Sequence, residues 1–527
     1  MLRPATFSVL LALASACASA GPSPPASPAP QVKRVRIVHT TDFHGRLAPQ
    51  APTWAGGRSV GGAAVIAAHM DSAAARFDGP TLFLSAGDAM QGSAVSNLSW
   101  GRAVIDVHNA SGYDAGALGN HEFDWGQDTL AARAGESTFP WLAANVTVQG
   151  TDRQPSYARA WTMIERAGVK VAVIGVALEE TPYLVMPGRV SNLRFGDPAQ
   201  AIDRYTREAR AAGADFVVVT GHIGAQCNLP QERPAAPEAE SSECIGEMLD
   251  VVHRLREPID LFTGGHTHLR VLAQVDGTPV VQSWSYGYAY SVTDLERRNG
   301  HVVATRREVR IPWGDEVTPD PAVARLVEQW TVDTGPVLEQ RVATMAEDMP
   351  RPDIGRGEYA IGNLLADALR IAVGAEAALL NNGAIRRGLP AGPVTYGTLY
   401  ELQPFQNALV AVDVTGAQLR AALEQAVSSG GVNAHVAGLL VEWDPDAEAG
   451  RRIRTVSRAD GRPVADTDVV RLALSEFVAQ GGDHFDVFRG IPARQTGLLD
   501  LDAVLTYLRR QPQPVTAPPG GRWRTVR

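Results

Sequence analysis

Val35-Arg36-Ile37-Val38-His39-Thr40-Thr41-Asp42-Phe43-His44-Gly45 sets the reading of everything that follows it. The apolar, β-branched first half reads as a buried strand, and Gly45 reads as its break. Asp42 and His44 then stand at a strand end, where ligand crevices open in α/β sheets. Two positions apart on an extended chain, a carboxylate and an imidazole point the same way. Such a pair can grip one metal ion, but alone it says little. Four later stretches repeat the arrangement. Residues 81–88 end in Asp88, and residues 115–124 deliver Asn120, His121 and Asp124. Residues 215–222 end in His222, and residues 259–268 end in His266 and His268.

Between these runs the composition turns helical at residues 61–77, 102–111 and 198–212, with further strands expected at 141–146 and 169–176. Strands alternating with helices predict an α/β core. The runs 278–284, 286–296 and 301–311 have no helices between them, so an antiparallel portion is expected to follow. The layout predicts two sheets packed together with helices outside. A mostly polar amphipathic segment at 322–347, bounded by prolines, predicts a linking helix within 318–350. A second α/β domain is expected over 351–510, opening with a helix at 361–373 and a strand at 377–380. The Pro/Gly-rich tail 511–527 is expected to be loose.

At 527 residues the chain should hold two or three domains. With 45% hydrophobic and 20% charged residues it reads as globular. A net charge of −9 argues against a nucleic-acid binder that relies on phosphate attraction. Lysine is confined to Lys33 and Lys170, so arginine carries the positive charge. Residues 1–20 read as an export signal: Arg3, an apolar run at 7–13, and Ala18-Ser19-Ala20 as cleavage pattern. Residues 21–32 follow as a Pro/Ala/Ser-rich tether. Cys17, after Ala14-Ser15-Ala16, resembles a degraded lipobox. A lipid-anchored surface protein and a free periplasmic or secreted one are therefore both open, and membrane contact is expected only through that anchor. Cys227 and Cys244 bracket a polar, Pro-rich insertion and in an oxidising compartment are expected to form a disulfide.

Collected from the strand ends, Asp42, His44, Asp88, Asn120, His222, His266 and His268 make seven oxygen and nitrogen ligands without a thiolate. Imidazole with carboxylate suits Mn, Zn, Fe or Co. Seven ligands exceed one tetrahedral site, and two divalent ions sharing a bridging carboxylate is the economical expectation. Two ions roughly 3.5–4 Å apart form a clamp for in-line displacement at phosphorus.

Asp42-x-His44, Gly87-Asp88, Gly119-Asn120-His121-Glu122, Gly221-His222 and Gly264-Gly265-His266-x-His268 resemble, in order, the five motifs of calcineurin-like metallophosphoesterases. The forms Thr-Asp-Phe-His-Gly and Gly-Asn-His-Glu-Phe-Asp resemble the 5′-nucleotidase and UDP-sugar hydrolase branch, and the likeness runs over about residues 35–505. It implies a four-layer αββα sandwich at 33–317 and a 5′-nucleotidase C-terminal substrate-binding domain. One ion would take Asp42, His44, Asp88 and His268, and the other Asp88, Asn120, His222 and His266. His121 would be a general acid oriented by Asp124, serving attack by a metal-held hydroxide. In the second domain, Leu379 to Arg386 resembles the family's Asn-Gly-Gly-Gly-Ile-Arg stretch, with departures at Asn382 and Ala384. By that resemblance Arg386 would grip a phosphate, Asn381 would face base or ribose, Phe405 and Phe477 would sandwich a nucleobase, and Asp483 would accept from ribose hydroxyls. Arg356 aligns loosely as a second phosphate arginine. The expected activity is release of phosphate from nucleoside 5′-phosphates by an exported enzyme. The alternatives are a 2′,3′-cyclic nucleotide phosphodiesterase/3′-nucleotidase, a UDP-sugar or NAD pyrophosphohydrolase, and a catalytically silent surface binding protein.

Overall fold

The computed structural model describes residues 1, 32–228, 240, 243–352, 357–428 and 431–526. The expected export signal, Cys17, the tether through residue 31, and Arg356 lie outside them.

The strand Lys33–Thr40 is the hub of the first sheet. It pairs antiparallel with Tyr290–Arg298 and parallel with Thr81–Ser85. Ala115–Ala117 and Trp141–Leu142 extend that sheet on one side and His301–Arg310 closes it on the other, making six strands. A second six-stranded sheet runs Arg270–Val275, Thr278–Ser283, Leu261–Gly264, Phe216–Gly221, Val169–Val176, Trp161–Arg166.

Alternation along the strands decides what each face buries. Val35 and Ile37 face inward and meet Val171, Val173, Phe216 and Val218 of the other sheet, all almost fully buried. Val38 faces outward, onto the layer that holds the helices Ala63–Ala75 and Arg102–Ala110. On the far side, Ile202, Tyr205, Met248 and Val251, from the helices Pro198–Ala211 and Glu247–His253, cover the second sheet. Three apolar layers between four sheets-or-helix layers give the αββα sandwich. Right after His222, the short strands Gln226–Cys227 and Cys244–Ile245 pair, and Cys227 and Cys244 are joined in a disulfide.

The connecting helix is shorter than the sequence suggested. Asp320 caps it by accepting from the Ala322 and Val323 amides, and the helix runs Pro321–Leu338. Residues expected to continue it form instead the strand Arg341–Met345, paired with Gly392–Thr395. Ala343 and Met345 turn inward at period two, and that alternation overrides the helical reading.

Beyond it a five-stranded sheet runs Ala434–Ala437, Ala377–Asn381, Val469–Ser475, Ala408–Thr415, Ala493–Leu499. The helices Ala360–Val373 and Asp500–Arg510 pack on one face and Gly416–Gln425 on the other. The tail corrects a second expectation. Trp523–Thr525 adds a parallel strand beside Leu439–Trp443, with the Trp523 side chain buried. Arg522 forks onto Asp367 at 3.0 and 2.7 Å. One buried indole and one bidentate ion pair tie down a stretch whose composition reads as loose. Among the described residues, no helix is long and apolar enough to cross a membrane.

Candidate metal centre and substrate chambers

Six of the seven expected ligands gather in two groups of three, but the first pair does so for a different reason than strand alternation. The strand ends at Thr40, and Asp42 and His44 sit at φ 48° and 49° in the left-handed region. Asp88, His266 and His268 share that conformation, so five of the seven ligands lie where non-glycine residues are strained. The turns bend each side chain toward one point. Asp42, His44 and His268 bring ligand atoms within 4.8 Å of one another, and so do Asp88, His222 and His266.

Close backbone packing makes the turns possible. A Cβ on Gly119 would stand 2.2 Å from Asp88 Oδ1, so only glycine lets Asn120 and Asp88 approach. Glu122 ties the same two loops together: its carboxylate accepts from the amides of Asp88 at 2.8 Å, Ala89 at 2.8 Å and Gly119 at 2.7 Å. Burial, with Asp88 nearby, pushes the Glu122 carboxyl up to about 7.

The donor set suits cations. His44 Nδ1 donates to the Gln91 carbonyl at 2.7 Å and His222 Nδ1 to the Ala86 carbonyl at 2.8 Å. Each ring is thereby fixed with Nε2 facing the carboxylates, the orientation in which a metal-binding imidazole is normally held. Burial holds His44 and His266 below the ordinary histidine range, His266 down to about 4, so both are neutral ligands at pH 7. His44 Nε2 and His268 Nε2 lie only 3.1 Å apart. His222 Nε2 is 3.0 Å from Asp88 Oδ2 but off the hydrogen-bond direction, so it is buried without a partner among the described residues. Asn120 Oδ1 is likewise a buried acceptor without a donor there. Burial opposes charge on His222, yet Asp88 outweighs it and raises the imidazole to about 10. A cation between the two would take that proton's place. Lone pairs aimed at one another, carboxylates held below their usual range by the histidines, and an orphaned amide oxygen are what a pair of divalent ions would satisfy.

His121 sits beside the cluster. Its Nδ1 is 2.7 Å from Asp124 Oδ2, and its Nε2 is 3.9 Å from Asp88 Oδ2. Burial works against a charged ring here, but Asp124 and then Asp88 outweigh it and the pKa rises.

Two chambers meet at this point, sharing His121, His266 and Arg386 in their walls. The first, about 160 Å³, brings Asn381, Phe405, Phe477 and Asp483 together with His121 and Arg386. Asn381 Nδ2 donates to Asp483 Oδ2 at 2.5 Å. The Phe477 ring lies flat over Gly482, where a Cβ would come within 2.4 Å of it. Phe405 stacks on His121, centroids 5.6 Å apart and planes 21° from parallel, with the Arg386 guanidinium 5.8 Å above it. The second chamber, about 1350 Å³, lies on the other side of the ligands.

Several participants escaped the sequence reading. Tyr286 packs against His44 and His268 and lies 3.5 Å from Arg386 through its hydroxyl. Gln91 acts through its carbonyl, and Leu184, Val185 and Met186 wall the first chamber from the catalytic side. Only Glu122 carried a signal, as the fourth residue of Gly-Asn-His-Glu.

Residues 35–270 match the family model described as calcineurin-like phosphoesterase, and residues 341–490 match 5′-nucleotidase, C-terminal domain. The chain is 28% identical to endonuclease YhcR of Bacillus subtilis over 93% of this chain and 40% of that protein, so it spans well under half of that relative. It is also 28% identical to cell wall protein Lmo0130 of Listeria monocytogenes, over 90% of this chain and 67% of that one. The crystal structure of a 5′-nucleotidase precursor from Thermus thermophilus superposes with a TM-score of 0.82 at 27% identity, covering 94% of this chain and 99% of that chain. The chain belongs to the calcineurin-like metallophosphoesterases that carry a 5′-nucleotidase C-terminal domain.

Proposed function

We propose that the protein is an exported enzyme releasing phosphate from nucleoside 5′-phosphates. One observation carries this reading: the ligand cluster opens, through His121 and Arg386, into a chamber lined by two phenylalanines and an Asn–Asp pair.

Asp42, His44, Asp88 and His268 would hold one divalent ion, and Asp88, Asn120, His222 and His266 the other, with Asp88 bridging. Such ions polarise phosphoryl oxygens and lower the pKa of a bound water. Arg386, kept charged by Tyr286 and Asp88 against the cost of its burial, grips the phosphate oxygens. His121 holds Nδ1–H on Asp124, so the proton on Nε2 is free to pass to the departing 5′-oxygen. The nucleobase lies on Phe477, with Phe405 opposite. Asp483 Oδ1 remains to accept from ribose after Oδ2 has bonded Asn381. Asn381 Oδ1, buried without a donor among the described residues, faces the same group. Export accords with the N-terminal signal, the disulfide, and a relative named for the cell wall.

The test is a turnover screen of metal-reconstituted protein across nucleoside monophosphates, 2′,3′-cyclic nucleotides and UDP-sugars. Highest kcat/KM on 5′-monophosphates is expected. Preference for cyclic nucleotides or UDP-sugars would replace this reading with one of the alternatives, and no turnover on any would favour the silent binding protein.

A further inference from the structure

A turn of the second domain, Gly481-Gly482-Asp483-His484, is gripped from the first. Its backbone is costly: Asp483 sits at φ 50° and His484 at φ 63°, two consecutive non-glycine residues in the left-handed region. Such a conformation persists only where surrounding contacts hold it. Some of those contacts come from within the second domain. The Phe477 ring lies against Gly482, and Asn381 bonds Asp483. The Arg489 side chain crosses Gly481, where a Cβ would come within 2.2 Å of its Nε. Others cross from the catalytic domain. Tyr183, in the helical turn Thr181–Leu184, stacks on the His484 imidazole, centroids 5.3 Å apart and planes 21° from parallel. The Arg489 guanidinium stands 5.2 Å from the centre of the same tyrosine ring, and a Glu180 carboxylate oxygen lies 4.0 Å from His484 Nε2. Stacked rings and a cation over a ring face both favour a defined geometry. Tyr183 is outside the walls of both chambers, yet Leu184, Val185 and Met186, which follow it, wall the nucleoside chamber. One segment of the catalytic domain thus closes that chamber and clasps the turn that carries Asp483.

We propose that Tyr183 is a positioning residue for ribose recognition. By holding His484 and Arg489 across the domain boundary, it fixes the turn 481–484 and with it the Asp483 carboxylate. Selection for a nucleotide with ribose hydroxyls is then set partly by the domain opposite the group that reads them. The inference rests on the nucleoside reading, in which Asp483 accepts from ribose.

The test compares AMP with 2′,3′-dideoxyadenosine 5′-phosphate in steady-state hydrolysis by the metal-loaded protein. The two share base and phosphate and differ only in the hydroxyls that Asp483 would bond. In wild type, KM for the dideoxy substrate should exceed that for AMP by about 10-fold or more, a hydrogen bond to a charged group being worth at least that. Tyr183→Ala should cut this preference by about 5-fold or more, the combined worth of a stacked pair and a guanidinium over a ring. Hydrolysis of p-nitrophenyl phosphate should stay near wild type. Tyr183→Phe keeps the ring and should restore the preference. His484→Asn removes the imidazole from the other side of the contact while tolerating the left-handed backbone. It should show the same loss, and it reads the contact should Tyr183→Ala fail to fold. A dideoxy-to-AMP preference unchanged in both variants, or matching losses on all three substrates, would overturn the proposal. A wild type with equal KM for AMP and its dideoxy analogue would overturn the ribose role of Asp483 itself, and the proposal with it.

Discussion

The two sides of this active site are built to different standards. On the catalytic side four of the ligand side chains are each held by a hydrogen bond to a neighbouring backbone group: His44 by the Gln91 carbonyl, His222 by the Ala86 carbonyl, Asp42 by the His266 amide, Asp88 by the His121 amide. On the nucleoside side, Phe405, Phe477, Asp483 and Arg386 are half-buried, Phe405 and Arg386 on loops and Phe477 and Asp483 on single helical turns. Phe405 borrows its packing from His121 across the gap. Metal chemistry needs ligand atoms held within fractions of an ångström, whereas stacking on a base tolerates looser placement. The difference teaches that the first wall should fail in steps of metal content and the second in steps of substrate affinity.

Each prediction sharpens or breaks that division, beginning with the largest effect. Asp88→Asn should abolish turnover and lower bound metal, read by elemental analysis of the purified protein, because only Asp88 is assigned to both ions. Wild-type turnover after dialysis against excess chelator would remove the dimetal premise. His121→Ala should lower kcat by about 10²–10⁴ with metal content near wild type. The loss should shrink on p-nitrophenyl phosphate, whose leaving group hardly needs a proton; equal losses on both would deny the acid role. Glu122→Gln leaves the ligands in place but puts an amide where three backbone N–H groups point. Loss of such a supporting group typically costs 10–100-fold in metal affinity or activity, so about that loss in metal affinity is expected by titration. Unchanged affinity would mean the glycine turns alone hold Asp88. The smallest effect on turnover belongs to the disulfide. Cys227→Ser/Cys244→Ser should cost about 3 kcal/mol of stability on the chain-entropy model, seen as a lower Tm. An unshifted Tm would separate the bridge from the stability of the His222 strand.

How much of this was legible in the sequence follows from where each signal resides. The ligands could be read because each closes an apolar strand with a polar residue that a strand interior would not hold. The sheet assignment followed from the same runs. The left-handed turns at Asp42 and His44 could not be read, because nothing but tertiary packing forces aspartate and histidine to positive φ. Residues 341–345 looked helical because they continue an amphipathic segment, and only their partner Gly392–Thr395, far along the chain, makes them a strand. The tail was misread for a similar reason: Trp523 and Arg522 find their partners at Val441 and Asp367. Tyr286 and Gln91 carry no motif of their own and act through where the fold puts them.

The division of labour itself is tested most directly in the double variant Phe405→Ala/Phe477→Ala, by comparing AMP with p-nitrophenyl phosphate. Stacking is worth about 1–3 kcal/mol per base, so each change should raise KM for AMP by roughly 5- to 150-fold. Some loss of kcat is expected from Phe405, which packs on His121. The account predicts that AMP hydrolysis falls steeply while the ester without a base keeps most of its kcat/KM. Equal losses on the two substrates would contradict it, and would make both phenylalanines part of the packing rather than readers of the base.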